Sequence, residues 1–327
     1  MPEPFPNFGS SHQRHRRPFP VTQITDKREL FVFNGRNCGK APQMNSPYEP
    51  FRGLPMTTCL IDAPLGEDTL AAFLDGPSGR TLSLRLAESP SERSRAKALV
   101  ARMYARMGYR TEGILPEGPG YATLLLSEAG GGDLGTVTVG SGEEGLRAEE
   151  SYPEEIAALS REGRSLCEFN ALAMVPGLGS PSALARLFHA ALLAGGPLLG
   201  HCDAVVEVTP VHARFYERTL GFERLSEGRT CSRVGGISSV LLNLNFEKAL
   251  RNLETYQSKT HHTRQTRGLY PFVFNKTETK DFVNRLSSRL FSPTRLLRNL
   301  RTGSWPSLPE GERSGWCRSG HRPSVPA

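Results

Sequence analysis

The chain has 327 residues, 38% of them hydrophobic, and it carries 33 glycines and 25 prolines. That balance excludes a chain packed along its whole length, and no apolar run is long enough to span a bilayer. The net charge of +7 is uneven: residues 247–327 hold 15 lysines and arginines against 6 acidic residues, the remainder 25 against 27.

Residues 1–78 are rich in Pro, Gly, Ser and Asn without a sustained period, so they read as an extension, mostly irregular, with one short helix over 61–74. Leu82, Leu84 and Leu86 alternate with polar residues and predict a strand. Ser89 or Ser91 can cap a following helix with Pro90 in its first turn, which runs to about Met107 and stops at Gly108. Its apolar stripe is Leu99, Val100, Met103, Tyr104 and Met107, while Arg95, Arg102, Arg106 and Arg110 gather on another face. Two strands, 121–127 and 134–139, flank a glycine run at 130–132 and predict a hairpin. A polar helix over 149–162 and a strand over 167–175 follow. Ser180 caps the next helix with Pro181 at its first position, and Leu184, Leu187, Phe188, Ala191 and Leu192 form its core-facing stripe. A β-branched strand over 204–208 stops at Pro210; a helix over 211–220 ends at Gly221, where Phe222 begins another strand. The last strand covers 238–246. Beyond 252 the chain is polar, with an amphipathic helix around 280–290 (Phe282, Val283, Leu286, Leu290) that packs on the core or forms the mouth of a site. About the last 25 residues read as disordered.

The expected organisation is an extension over 1–78, a mixed α/β domain over 79–250, and a basic extension over 251–327 with one helix over 278–290. Six scattered cysteines without a C-x-x-C pair read as reduced thiols, and the N-terminus lacks the apolar core of a signal peptide, so a cytoplasmic location is expected. The pair His261-His262 has no partners at ligand spacing, so no metal is expected. No nucleic-acid motif accompanies the basic tail; an acidic partner is the alternative to a merely solvated surface.

The strand over 204–208, the helix bearing Phe215 and Tyr216, and Gly221-Phe222 leading into a strand together resemble the last quarter of a GNAT-type acyltransferase. The resemblance implies a GNAT-like mixed central sheet with flanking helices, in which a parallel strand pair splays around an acyl thioester and the helix tyrosine faces the leaving thiol. The phosphate loop of that fold aligns with Met174-Val175-Pro176-Gly177-Leu178-Gly179-Ser180, where the glycines are kept, Met174 replaces a Gln or Arg and Pro176 removes a donor. Three blocks narrow the likeness: 145–155 (Gly-Leu-Arg-Ala-Glu-Glu-Ser-Tyr-Pro-Glu-Glu), 163–173, and Thr209-Pro-Val-His212-Ala-Arg214-Phe215-Tyr216. Over about 80–245 these resemble the long-chain N-acyl amino acid synthases (FeeM-like), distant relatives of acyl-homoserine lactone synthases.

That resemblance implies transfer of a long fatty acyl chain from acyl carrier protein, or from CoA, to the amine of an amino acid, with no bound cofactor. It assigns catalysis to Glu168, His212 and Tyr216, and substrate contact to Glu149, Tyr152, Asn170, Arg214 and Phe215. The pantetheine loop falls on Val175, Gly177, Gly179 and Ser180. An acidic carrier protein would dock on Arg102, Arg106 and Arg110. Thr209, Val211 and Ala171 depart from the family pattern. Two other readings stay open: a general acetyl-CoA-dependent GNAT acetyltransferase, and a catalytically silent module that binds an acyl thioester.

Overall fold

The structure, a computed structural model, describes residues 66–142, 145–258 and 268–292. One nine-stranded mixed sheet runs in the order β1-β2-β3-β4-β5-β6-β9-β7, with β8 paired to β9. The strands are β1 Thr69–Asp75, β2 Arg80–Leu86, β3 Tyr121–Glu128, β4 Asp133–Gly140, β5 Leu166–Met174, β6 Asp203–Val208, β7 Glu223–Arg224, β8 Arg229–Cys231 and β9 Ile237–Asn245. Every pairing is antiparallel except β5 with β6. Between those two strands the chain crosses through helix α3, Pro181–Leu193, which is what makes them parallel. The other helices are α1 Pro90–Arg106, α2 Pro153–Arg161, α4 Pro210–Phe215, α5 Phe246–Ser258 and α6 Lys276–Leu290. No helix among the described residues is long and apolar enough to cross a membrane.

Local chemistry accounts for the element ends. Of the two serines that could cap α1, it is Ser89: its hydroxyl accepts from the Glu92 N–H at 3.1 Å, and the Glu92 carboxylate accepts from the Ser89 N–H at 3.0 Å. Ser180 accepts from the Ala183 N–H at 2.9 Å, with Pro181 in the first turn of α3. Gly221 takes φ +80° where the turn after α4 closes.

Four expectations change. The helix expected over 61–74 gives way, in its described part, to a strand: from Thr69 the chain is β1, whose Leu70 and Phe73 are buried against the sheet's core, while 61–65 lie outside the described residues. The helix over 149–162 is a 3-10 turn, Arg147–Glu150, followed by α2 from Pro153. The helix over 211–220 is the short α4 closed by a π turn at Tyr216–Leu220. Helix α5, amphipathic and buried through Ala249, Leu253 and Tyr256, was not anticipated. The irregular segment before residue 66, the pair His261-His262 and the disordered C-terminal stretch expected from sequence lie outside the described residues.

The sheet is covered on both faces. Leu125 and Ala171 meet α1, and Val205 and Leu241 meet α2; Leu124, Leu126, Val206 and Leu242 face the larger cluster with α3, α5 and α6. Strand β5 breaks its own alternation. Its register with β4 jumps from Thr138–Asn170 to Thr136–Ala173, so Ala171 and Leu172 both oppose Val137. Before the bulge Cys167 and Phe169 face α3; after it Ala171 and Ala173 face α1, while Leu172 and Met174 turn to the α3 side. Ala171 takes φ +52°, the only positive φ outside glycine among the described residues. That conformation costs an alanine roughly 1–2 kcal/mol. Ala171→Gly should therefore hold or raise stability, and Ala171→Val should lower it by more than about 1 kcal/mol, read from urea unfolding.

Helix α6 is fastened by a buried ion pair. Arg186 on α3 reaches the Glu278 carboxylate at 3.1 Å, with both side chains almost fully buried. The guanidinium lies 4.3 Å from the Phe73 ring centroid and 5.4 Å from that of Phe274, so aromatic faces take the part of its charge that Glu278 does not. His189, tilted against the Phe274 ring, is pushed down to about 3 by burial and by Arg186, so it stays neutral. Thus Phe282, Leu286 and Leu290 of α6 pack on the core, and α6 contributes nothing to the mouth of the cavity described below. Arg186→Met should strand the Glu278 charge and cost about 3–5 kcal/mol, with Arg186→Met/Glu278→Gln recovering much of it in the same urea titration.

Candidate functional site

Strands β5 and β6 pair only at Leu166–Asp203, Cys167–Ala204 and Glu168–Val205. Beyond that point they part, and the β6-facing edge of β5 has no sheet partner among the described residues. A cavity of about 1120 Å³ opens there, walled by α1, the second half of β5, β6, α4 and the turn after β8. Its α1 side is apolar, with Met103, Ile114, Ala171 and Ala173; its β6 side is polar, with Glu168, Glu207, Arg233 and Ser239.

Glu168 sits where the strands divide, 2% exposed. Its Oε2 accepts the Ala148 N–H at 3.2 Å, from the 3-10 turn that precedes α2. Burial pushes its carboxyl up to about 7; the Ala148 and Arg147 N–H groups and the charges of Arg233 and Arg147 pull the other way without cancelling it. A carboxyl half-ionised near neutrality and facing a cavity is suited to take a proton from a reacting group.

The cavity also gathers His212, Tyr216, Asn170, Arg214, Val175, Gly177, Gly179 and Ser180 from the sequence expectations. His212 Nδ1 lies 2.9 Å from the Thr209 hydroxyl, and burial lowers its pKa. The Tyr216 phenol is raised by burial, with the neighbouring Tyr104 adding to it, so it stays protonated. The loop over 175–180 is tied from beneath: the Arg80 guanidinium donates to the Leu178 carbonyl at 2.6 Å, and the Ser180 hydroxyl donates to the buried Asp75. Met174, where a Gln or Arg was the family expectation, turns its thioether over Gly135 and Gly179. Arg106 reaches the mouth.

Other expected residues lie elsewhere. Glu149 is exposed and caps its own turn, accepting from the Leu146 N–H at 3.3 Å. Tyr152 is fully buried under α2, outside the cavity lining, and donates to the Ser239 carbonyl at 2.6 Å, with Arg229 over its ring. Phe215 packs against the main core and Tyr216. Arg102 and Arg110 are exposed and outside the cavity lining.

Apart from Glu168, sequence reasoning missed the polar wall. Arg233 bridges Glu207 and Glu150, and Glu207 also accepts from the Ser239 hydroxyl at 2.6 Å. Arg147 is held by the Ile114 carbonyl at 3.0 Å and the Gly113 carbonyl at 2.9 Å. Burial and Glu207 raise the Cys231 thiol, which keeps it protonated. Arg147 stands inside the first of the three blocks, beside acidic residues that match the family pattern; no local signal marks Glu207 or Arg233.

A mixed sheet flanked by helices, a parallel pair that parts, and a bulged strand beside a buried carboxylate define the GNAT-like acyltransferase fold. Within that class, residues 95–245 match the family whose description is N-acyl amino acid synthase FeeM. The resemblance carried by the three blocks is therefore shown over that segment, and the chain is an acyltransferase. Solved structures similar to it include FeeM, an N-acyl amino acid synthase from uncultured soil microbes, at 25% identity and TM-score 0.48; the match covers 53% of this chain and 95% of that one. Another is a putative N-acetyltransferase from Lactobacillus plantarum, at 13% identity and TM-score 0.35, covering 50% and 98%. A third is spermidine N-acetyltransferase from Vibrio cholerae in complex with CoA and spermine, at 16% identity and TM-score 0.34, covering 52% and 98%. No curated protein sequence matches the chain.

The titration of Glu168 has a signed consequence. Its carboxyl is raised to about 7, so below that pH it is protonated and cannot accept a proton. The rate constant kcat/KM should rise with pH and level off above about 7, and Glu168→Gln should lower the plateau by about 100-fold or more. A pH–rate profile of both proteins checks this; a Gln variant within about threefold of wild type would remove Glu168 from proton transfer.

Proposed function

We infer that the protein transfers a long-chain fatty acyl group from a thioester of acyl carrier protein to the amine of an amino acid. The carrying observation is the buried carboxyl of Glu168, raised to about 7, at the head of a large cavity that is polar on one side and apolar on the other. The acceptor amine attacks the thioester carbonyl, forming the C–N bond, and its proton passes to Glu168. Backbone N–H groups on the unpaired edge of β5 are suited to the oxyanion. Collapse breaks the C–S bond, and the leaving thiolate takes the proton of Tyr216, whose phenol burial keeps protonated. His212, beside Thr209, lies on the same wall and orients the approach of the thioester.

The carrier protein is favoured over free CoA by what surrounds the mouth. The donor loop is led by Met174 in place of a basic residue, and its thioether turns over Gly135 and Gly179. Exposed Arg106 and Arg214 flank the opening beside the exposed apolar side chains of Met107 and Val211. An acidic protein surface fits that rim. The general acetyl-CoA reading has less support, since an acetyl group leaves most of the apolar side of the cavity empty.

Mass spectrometry of lipid extracts from cells overproducing the protein should reveal a new N-acyl amino acid. With purified protein, the acyl carrier thioester should exceed the matching acyl-CoA in kcat/KM by about tenfold or more, and Arg106→Glu/Arg214→Glu together with added salt should erode that advantage. Equal use of both donors at every ionic strength would reject the carrier protein; acetyl-CoA as the best donor would reject the long chain.

A further inference from the structure

Charge along the cavity wall is not balanced. Four arginines line it, Arg106, Arg147, Arg214 and Arg233, against the carboxylates of Glu168 and Glu207. Arg233 is already neutralised by Glu207 and Glu150. Arg106 and Arg214 are exposed at the mouth. Arg147 differs from all three. It is half-buried, and its Nη1 and Nη2 each donate to a backbone carbonyl, Ile114 at 3.0 Å and Gly113 at 2.9 Å. Among the described residues no carboxylate lies within 4 Å of it. A guanidinium has five N–H donors, so carbonyl bonds to two nitrogens fix the plane of the group and leave donors for a ligand.

Its place in the chain fixes its place in the site. Arg147 opens the 3-10 turn whose next residue, Ala148, donates its N–H to Glu168 at 3.2 Å. The cation is therefore one residue removed from the contact that orients the carboxylate at the strand division. An acceptor lying between them would meet a proton-accepting carboxyl and a fixed cation at neighbouring points. The Arg147 charge is felt at the Glu168 carboxyl; a molecule with an amine and a carboxylate on the same carbon presents complementary groups to the two, and an amine without a carboxylate leaves the Arg147 donors unused.

We propose that Arg147 is the specificity-determining anchor for the acceptor, binding its carboxylate while the amine faces Glu168. This rests on the acyl-transfer reading and goes beyond it by naming the residue that selects a carboxylate-bearing acceptor. The bond is the charge-assisted kind that Arg makes best, and a partly closed cavity strengthens it.

The test compares each amino acid with its own decarboxylated amine: L-leucine with isoamylamine, and L-phenylalanine with phenethylamine, using a lauroyl thioester as donor. In the wild type, kcat/KM should favour the amino acid by about tenfold or more. Arg147→Gln should collapse that ratio, with the change carried by the KM of the amino acid, and Arg147→Lys should restore part of it. Binding of the same four compounds without donor, followed by calorimetry, is read in parallel. Because Arg147 also braces Gly113 and Ile114, melting temperature is recorded for each variant; if Arg147→Gln does not fold, the wild-type ratio and Arg147→Lys decide. Turnover with no preference for the amino acid, or with a preference that Arg147→Gln leaves intact, overturns the anchor and keeps acyl transfer. No turnover but carboxylate-selective binding that Arg147→Gln abolishes keeps the anchor and overturns acyl transfer. Neither turnover nor selective binding overturns both.

Discussion

One additional residue in β5 governs the site. Without the bulge at Ala171 and Leu172, the alternation that puts Cys167 and Phe169 toward α3 would continue, and Ala171 and Ala173 would lie on that face with them. With it, Glu168, Asn170, Ala171 and Ala173 all border the same cavity. The bulge also comes just past Glu168–Val205, the last parallel pair. Strand bending, loss of pairing and a change of face thus coincide within a few residues. The positive φ of Ala171 is the local strain that accompanies this arrangement.

The electrostatics follow from that backbone. Glu168 is buried because it lies between two central strands, and burial alone would keep a carboxyl neutral. The turn Arg147–Glu150 tempers this with its first N–H groups, so the carboxyl titrates near neutrality instead of far above it. Glu207 on β6 is handled differently: Arg233 and Ser239 pin it, so it is an ion-pair partner and not a free base. Two glutamates on one wall acquire different chemistry because only one has a cation in contact.

Much of the frame was legible. The hairpin at 129–132, the Ser180-Pro181 start of α3, the strand at β6 and the buried stripe of α6 each rest on signals within a few residues, and each is present. What escaped depends on distant partners. Strand β1 falls where the sequence reads as a short helix, and is a strand because β2 offers it an edge. Glu149 and Tyr152 sit in a motif that looks functional, but folding sends one to cap a turn and the other into the core under α2. Arg233 meets Glu207 across 26 residues and Glu150 across 83, pairings that no local period encodes. The bulge did leave a trace: after Leu166, which opens the strand, the larger apolar residues of β5 are Phe169, then Leu172 and Met174, an odd-to-even slip within one strand.

The cradle under the loop at 175–180 carries a further consequence. Asp75, at the end of β1, accepts from the Ser180 and Ser78 hydroxyls and from Arg80, while Arg80 itself holds the Leu178 carbonyl. The loop is set by bonds made within the chain itself, so its conformational entropy is surrendered during folding and not at the encounter with the thioester. Donor affinity therefore acquires a remote determinant. Side chains on β1 and β2, which never touch the acyl group, decide how much of the binding free energy is left for holding it.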